Sequence, residues 1–108
     1  MAFKCRDVVL VPFPYRDRLA EKTRPAVIIS GVAYNQLGDV IIAAITSQPP
    51  RFPTDYSLVD WRGAGLQYQS TVRMLLATVA DFRVVHKTGE LSDRDWRGVQ
   101  TCLQLVLS

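Results

Sequence analysis

Two apolar runs of strand length, joined by a connection rich in turn residues, constrain this chain more than any other feature. The first is Arg24-Pro25-Ala26-Val27-Ile28-Ile29-Ser30, and the second is Asp39-Val40-Ile41-Ile42-Ala43-Ala44-Ile45-Thr46-Ser47-Gln48. Their spacing favours pairing as neighbouring antiparallel strands, which sets the start of one against the end of the other. An arginine opens the first run and a threonine closes the second, so Arg24 and Thr46 are expected side by side at one rim of a sheet.

The 108 residues are enough for one domain, spanning 1–108, with a real core but no room for a second. A hydrophobic content of 48% excludes a disordered tail. No apolar run approaches the roughly 18 residues of a membrane span, and the first six residues lack the apolar core of a signal peptide. A cytoplasmic protein is expected. Cys5 and Cys102 have neither metal-ligand spacing nor neighbouring histidines and read as reduced structural thiols. His86 is the one histidine, which excludes a histidine-rich metal site. It falls in the last predicted strand, away from the other motifs, and reads as an edge or structural residue. Chemistry without metal or cofactor is the expectation.

The net charge of +3 is compatible with a polyanionic partner. Its distribution says more: Arg16, Arg18, Lys22 and Arg24 stand against only Asp17 and Glu21, in a segment with no periodic apolar face.

Along the chain, Val8–Phe13 is short, β-branched and apolar on both faces, a buried strand that Pro12 is expected to end or bulge. Residues 14–23, polar, charged and flanked by prolines, read as a long hairpin loop of the kind that is often functional. Pro49-Pro50-Arg51-Phe52-Pro53 is a stiff extended connection. Tyr56–Val59 is a candidate short strand, 60–66 a turn with glycines suited to positive φ, 70–79 extended structure, and Phe82–Lys87 a last strand. The end is helical. Ser92 caps, Asp93 and Asp95 occupy the first turn, and Leu91 and Trp96 form a hydrophobic staple. Trp96, Val99, Leu103 and Val106 then form one apolar stripe on a helix over about 93–107. The pattern is an α+β, mainly β domain with its strands curled into a small barrel and one late helix.

Several blocks resemble the MazF/PemK (Kid) toxins of type II toxin-antitoxin modules. They are Asp7-Val8-Val9-Leu10-Val11-Pro12-Phe13-Pro14, a basic loop, Arg24–Ser30, Ile45-Thr46-Ser47-Gln48, Gly65-Leu66, Ser70-Thr71-Val72-Arg73 and Gly89-Glu90-Leu91-Ser92. They cover nearly the whole chain in the family's order. The resemblance implies an SH3-like small β-barrel with a C-terminal helix, a homodimer, and a metal-independent endoribonuclease that cuts single-stranded RNA at short motifs. It also implies inhibition by a small acidic antitoxin whose tail lies across the RNA groove. By motif, the catalytic pair is Arg24 and Thr46, with Arg73 a third candidate. Three positions depart from the family: Arg6 stands where a glycine usually precedes the first strand, and Leu19 and Leu75 stand where some relatives carry acids.

RNA brings its own nucleophile, so the protein need only align the 2′-OH with phosphorus, help move two protons and stabilise charge on the phosphorane. The Arg24 guanidinium offers a planar fork to two non-bridging oxygens and stays protonated at physiological pH. Thr46 can donate a hydrogen bond to the same phosphate. The expected products are a 2′,3′-cyclic phosphate and a 5′-hydroxyl, and the acceptor of the 2′-OH proton is left unassigned. Tyr15 and Phe52 are candidate stacking platforms, Gln48 a candidate base reader, and Arg16, Arg18 and Lys22 candidate phosphate contacts. The structural alternatives are a strand-end arginine paired with Asp17, Glu21 or Asp39, and a threonine that merely suits a strand. The rival function is a catalytically silent RNA- or antitoxin-binding module on the same barrel, favoured by Leu19 and Leu75. SH3-like barrels also serve as peptide-binding or chromatin-associated modules. Retention of both Arg24 and Thr46 favours the enzyme.

Overall fold

The computed structural model describes residues 3–14 and 22–108. In chain order the elements are β1 (Asp7–Phe13), β2 (Lys22–Ile28), a single-turn helix α1 (Val32–Asn35), β3 (Asp39–Thr46), β4 (Tyr56–Ser57), β5 (Thr71–Ala80), a 3₁₀ turn (Asp81–Arg83), β6 (His86–Glu90) and α2 (Asp93–Leu107). The six strands form one antiparallel sheet in the order β4-β5-β3-β2-β1-β6. Extents of 31 × 31 × 30 Å fit a sheet curled into a half-barrel, with the helix laid against it.

Both faces of the sheet are buried, which is why the central strands read as continuous apolar runs rather than as alternation. Val9, Val11, Ala26, Ile28, Ile42 and Ala44 pack together on one face. Val8, Val27, Ala43, Ile45 and Val72 pack on the other, where Leu58, Leu91 and Val99 cover them. Burying such side chains contributes roughly 1.5–3 kcal/mol each.

Helix α2 begins and ends where the sequence predicts. The Asp95 N–H donates to the Ser92 cap hydroxyl at 3.3 Å. Asp95, in the first turn as expected, is also a fully buried hub. It accepts from the Tyr56 hydroxyl at 2.8 Å and from the backbone N–H groups of Val59 and Asp60 at 3.0 and 2.8 Å. Of the predicted stripe, Val99 is buried, Trp96 and Leu103 are half-buried, and Val106 is exposed.

Four expectations need correction. Strand β1 runs through Pro12, which pairs in register with Thr23. Pairing of β1 with β6 stops at Leu10, so beyond it that side of β1 has no ladder for a missing N–H to break. Strand β2 starts at Lys22, two residues before the apolar run, and the connection to β3 contains the turn α1. Strand β4 is only two residues long. The last strand is His86–Glu90 rather than Phe82–Lys87, because Gly89 and Glu90 pair with Val8 and Asp7 while 81–83 turn as 3₁₀.

Arg6 has φ 81, a left-handed conformation that a glycine adopts freely and an arginine at a cost of about 1 kcal/mol. Its guanidinium returns that cost through contacts. Nη2 donates to Leu91 O at 3.0 Å and pairs with Asp93 at 2.8 Å, fastening the start of α2 to the sheet.

Candidate functional site

Strands β2 and β3 pair as Ala26 with Ala44, Val27 with Ala43 and Ile28 with Ile42. The ladder ends at Ala26 and Ala44; Arg24 and Thr46 lie two residues beyond it, at the end where β2 starts and β3 stops, and both line one cavity. Arg24 pairs with Val11 on β1, and Thr46 with Thr71 on β5. Arg24 and Thr46 are both half-buried. Among the described residues no carboxylate forms an ion pair with Arg24, and Asp39 lies at the far end of β3. The Thr46 hydroxyl accepts from the Gln48 N–H at 3.2 Å, which orients its oxygen and leaves its proton to donate.

The cavity that they line is about 630 Å³, within the range of small-molecule sites. Leu10, Pro25, Ile45 and Leu66 supply apolar surface. Arg24, Thr46, Gln48, Gln67, Tyr68 and Thr88 supply the polar groups. The described lining residues offer one guanidinium with hydroxyls and amides, suited to a phosphodiester and to neutral base edges. The wall at Gly65 is built tightly: with φ 81, a Cβ there would run into the Thr88 backbone. The Thr88 hydroxyl lies 3.0 Å from Ala64 O and 3.2 Å from Val8 O, tying that wall to β1.

Arg73 is not brought to the cavity. It pairs with Ala44 in register and shares the sheet face of Thr71 and Thr46, but its guanidinium turns to Asp55. Asp55 also accepts from the backbone N–H groups of Arg51 and Phe52, at 2.9 and 3.3 Å, so one carboxylate organises the loop after β3. Burial pushes the Asp55 carboxyl up, but the Arg73 hydrogen bonds and the two backbone donors outweigh it and hold it below its ordinary value. The exposed Phe52 ring has the guanidinium carbons of Arg51 and Arg73 each 5.6 Å from its centroid. Phe52 is thus a propped aromatic surface outside the cavity lining.

Gln48 lines the cavity. Lys22 is exposed at the start of β2. Tyr15, Arg16 and Arg18 fall outside the described residues, as do Asp17, Leu19 and Glu21. Leu75 sits in a bulge of β5: Ala43 pairs with Leu76 and Ala44 with Arg73, leaving Met74 and Leu75 unpaired between them. His86 is exposed on β6 and does not line the cavity. Among the described residues there is no cluster of three or more His, Cys, Asp or Glu able to hold a metal, and no helix long and apolar enough to cross a membrane. Sequence reasoning passed over Asp55, Gln67, Tyr68 and Thr88. The signal for Gln67 and Tyr68 was available: a polar and aromatic step between Gly65-Leu66 and Ser70–Arg73, two blocks that carry the family resemblance.

The curled sheet with its C-terminal helix is the fold of the MazF-like toxins. The structure is similar to an endoribonuclease in complex with its cognate antitoxin from a Mycobacterial species, with a TM-score of 0.82, 19% identity, and 98% of this chain and 95% of that one covered. It is similar to MazF in a MazE-MazF complex from Deinococcus radiodurans, at 0.77 and 18% identity over 100% of this chain and 97% of that one. It is also similar to the Mycobacterium tuberculosis toxin MazF-mt6, at 0.75 and 20% identity over 94% and 96%. Among curated proteins no sequence matches significantly. The family described as PemK-like, MazF-like toxin of type II toxin-antitoxin system matches residues 4–107, and the chain belongs to it.

Proposed function

We propose that this toxin is a metal-independent endoribonuclease that cuts single-stranded RNA at the rim where Arg24 and Thr46 meet. The observation that carries the reading is their juxtaposition. Two adjacent strands deliver a guanidinium without a described carboxylate partner and a hydroxyl with a free proton to one cavity. The Arg24 fork takes the non-bridging oxygens and stabilises the charge that grows on phosphorus. Thr46 donates to the same phosphate and holds it in line with the 2′-oxygen. The 2′-oxygen bonds to phosphorus as the bond to the 5′-oxygen breaks. The 2′-OH gives up its proton, a proton reaches the 5′-oxygen, and a 2′,3′-cyclic phosphate and a 5′-hydroxyl result. Arg16, Arg18 and Lys22 add contacts to flanking phosphates, and Tyr15 and Phe52 add stacking surface.

The partners follow the same reading: a second copy of the chain as a homodimer, and an acidic antitoxin that blocks the rim. The net charge of +3 and the basic segment before β2 complement an acidic inhibitor. Incubating the purified toxin with long mixed-sequence RNA and sequencing the new ends tests the activity. Ends at a short recurring motif, lost when the scissile sugar is 2′-deoxy, support it. No new ends would make the protein a silent binding module, and cutting at a 2′-deoxy sugar would rule out the 2′-OH mechanism.

A further inference from the structure

We infer that Tyr68 and Gln67 form a base-recognition lip on the rim cavity, the Tyr68 ring stacking on a nucleobase beside the scissile phosphate and Gln67, with Gln48, reading its edge. The inference rests on the ribonuclease reading of the same site and names what selects the RNA sequence there.

Position is the first ground. Tyr68 and Gln67 line the same cavity as Arg24 and Thr46. Because Thr46 pairs with Thr71, the loop that leaves β3 and the loop that leads into β5 run beside each other at this rim, one carrying Gln48 and the other Gln67 and Tyr68.

Display is the second. Tyr68 is 68% exposed, and among the described residues its ring has no stacking, cationic or hydrogen-bonding partner. Yet its backbone is held in place. The Ser70 hydroxyl donates to Tyr68 O at 2.8 Å, and the Gln69 amide donates to Leu58 O at 2.6 Å and to Ser57 Oγ at 3.2 Å. Leu58 N–H donates to Ser70 O at 2.9 Å. Folding has therefore already ordered the segment that presents the ring, so a ligand that stacks on it meets a small entropic cost.

Chemistry is the third. An aromatic face accepts any base, whereas a carboxamide offers both a donor and an acceptor and so distinguishes base edges. Leu10, Pro25, Ile45 and Leu66 give the body of a base an apolar seat. Among the described residues of the lining Arg24 is the one cation, and the surface that they form suits stacking and neutral hydrogen bonds.

The test measures binding separately from cutting, using fluorescein-labelled 2′-fluoro pentanucleotides, which lack the attacking hydroxyl, with each base varied at each position. Tyr68→Ala is expected to weaken binding about five- to a hundredfold, while Tyr68→Phe stays within about threefold because the π-face is kept. Gln67→Ala is expected to flatten the preference at one position by about tenfold, with affinity for the other sequences little changed. Wild-type affinity in Tyr68→Ala, or an unchanged base preference in Gln67→Ala, overturns the lip. The outcomes separate the two readings. A wild-type protein that binds these oligonucleotides but leaves natural RNA uncut removes the ribonuclease and keeps the lip. One that cuts RNA with the same motif and rate as Tyr68→Ala does the reverse.

Discussion

The guanidinium of Arg73 and the carboxylate of Asp55 form an ion pair, with Nη2 3.0 Å from Oδ2, in which the Asp55 side chain is wholly buried and that of Arg73 only 14% exposed. The same carboxylate caps the Arg51–Phe52 turn. The pair therefore joins β5 to the loop that leaves β3 beyond Thr46, and it gives Arg73 a structural partner that Arg24 lacks among the described residues.

Breaking this pair is expected to cost stability. Arg73→Ala or Asp55→Ala should lower the unfolding free energy by about 3 kcal/mol at neutral pH, because each leaves the other charge buried and unpaired. Urea titration followed by tryptophan fluorescence measures it. Arg73→Ala with unaltered stability and abolished RNA cutting would instead make Arg73 a catalytic residue.

The lowered pKa of Asp55 gives a pH signature. A carboxyl depressed on folding stabilises fully above its unfolded value, near 3.8, and that contribution is lost as pH falls through the lower folded value. Wild-type protein should lose stability below about pH 4. Asp55→Asn should be less stable at pH 7 and show a shallower acid slope in the same titration.

Arg24 and Thr46 are expected to behave in the opposite way from Arg73. Arg24→Ala and Thr46→Val should each lower RNA cleavage by about a hundredfold or more while the thermal midpoint moves little, since the lost donors act on the phosphorane. Arg24→Lys should recover only a small part, because an ammonium keeps the charge without the planar fork. Initial rates on a fluorescent RNA substrate, set beside thermal melts, distinguish these outcomes.

Tyr56 should govern the alkaline limb. Burial and then its hydrogen bond to Asp95 push the phenol up to about 12 from 10.0. A raised folded value means that the stabilisation is complete below the unfolded pKa near 10 and is lost as pH rises through about 12. Tyr56→Phe should cost about 2 kcal/mol at pH 7 by removing a donor from the buried Asp95 carboxylate. It should also flatten the stability profile above pH 10 in a guanidinium titration series.

Gly98 offers a test of packing against propensity. Replacing a mid-helix glycine by alanine ordinarily stabilises by up to about 1 kcal/mol. Here the Tyr56 ring occupies the space a Cβ would need. Gly98→Ala should therefore destabilise, by about 1–3 kcal/mol, visible as a lower thermal midpoint.

Regular elements were legible wherever periodicity or capping chemistry is local. The helix bounds followed from Ser92 and the apolar stripe, and the pairing of β2 with β3 followed from two apolar runs and a short connection. The end of the sheet was less legible. Val84 and Val85 looked like strand residues by propensity, but pairing with β1 selected His86–Glu90, where Gly89 can approach the backbone of Ala64. Arg73 read as a site residue because an arginine in a motif carries no mark of its partner, and Asp55 lies 18 residues away. Asp95 read only as a first-turn acid of the helix for the same reason, since Tyr56, Val59 and Asp60, which donate to it, lie 35 to 39 residues away.

By itself, the sequence determined that an arginine and a threonine would close one rim of a small curled sheet, because strand length, turn residues and antiparallel register are local properties. Tertiary structure alone decided which arginine is left facing the cavity and which is bound to a buried carboxylate. It also decided that Gln67, Tyr68 and Thr88 join Arg24 and Thr46. The physical reason is that burial and charge pairing depend on distances between residues far apart in the chain, which the closing of the sheet sets and no local pattern records.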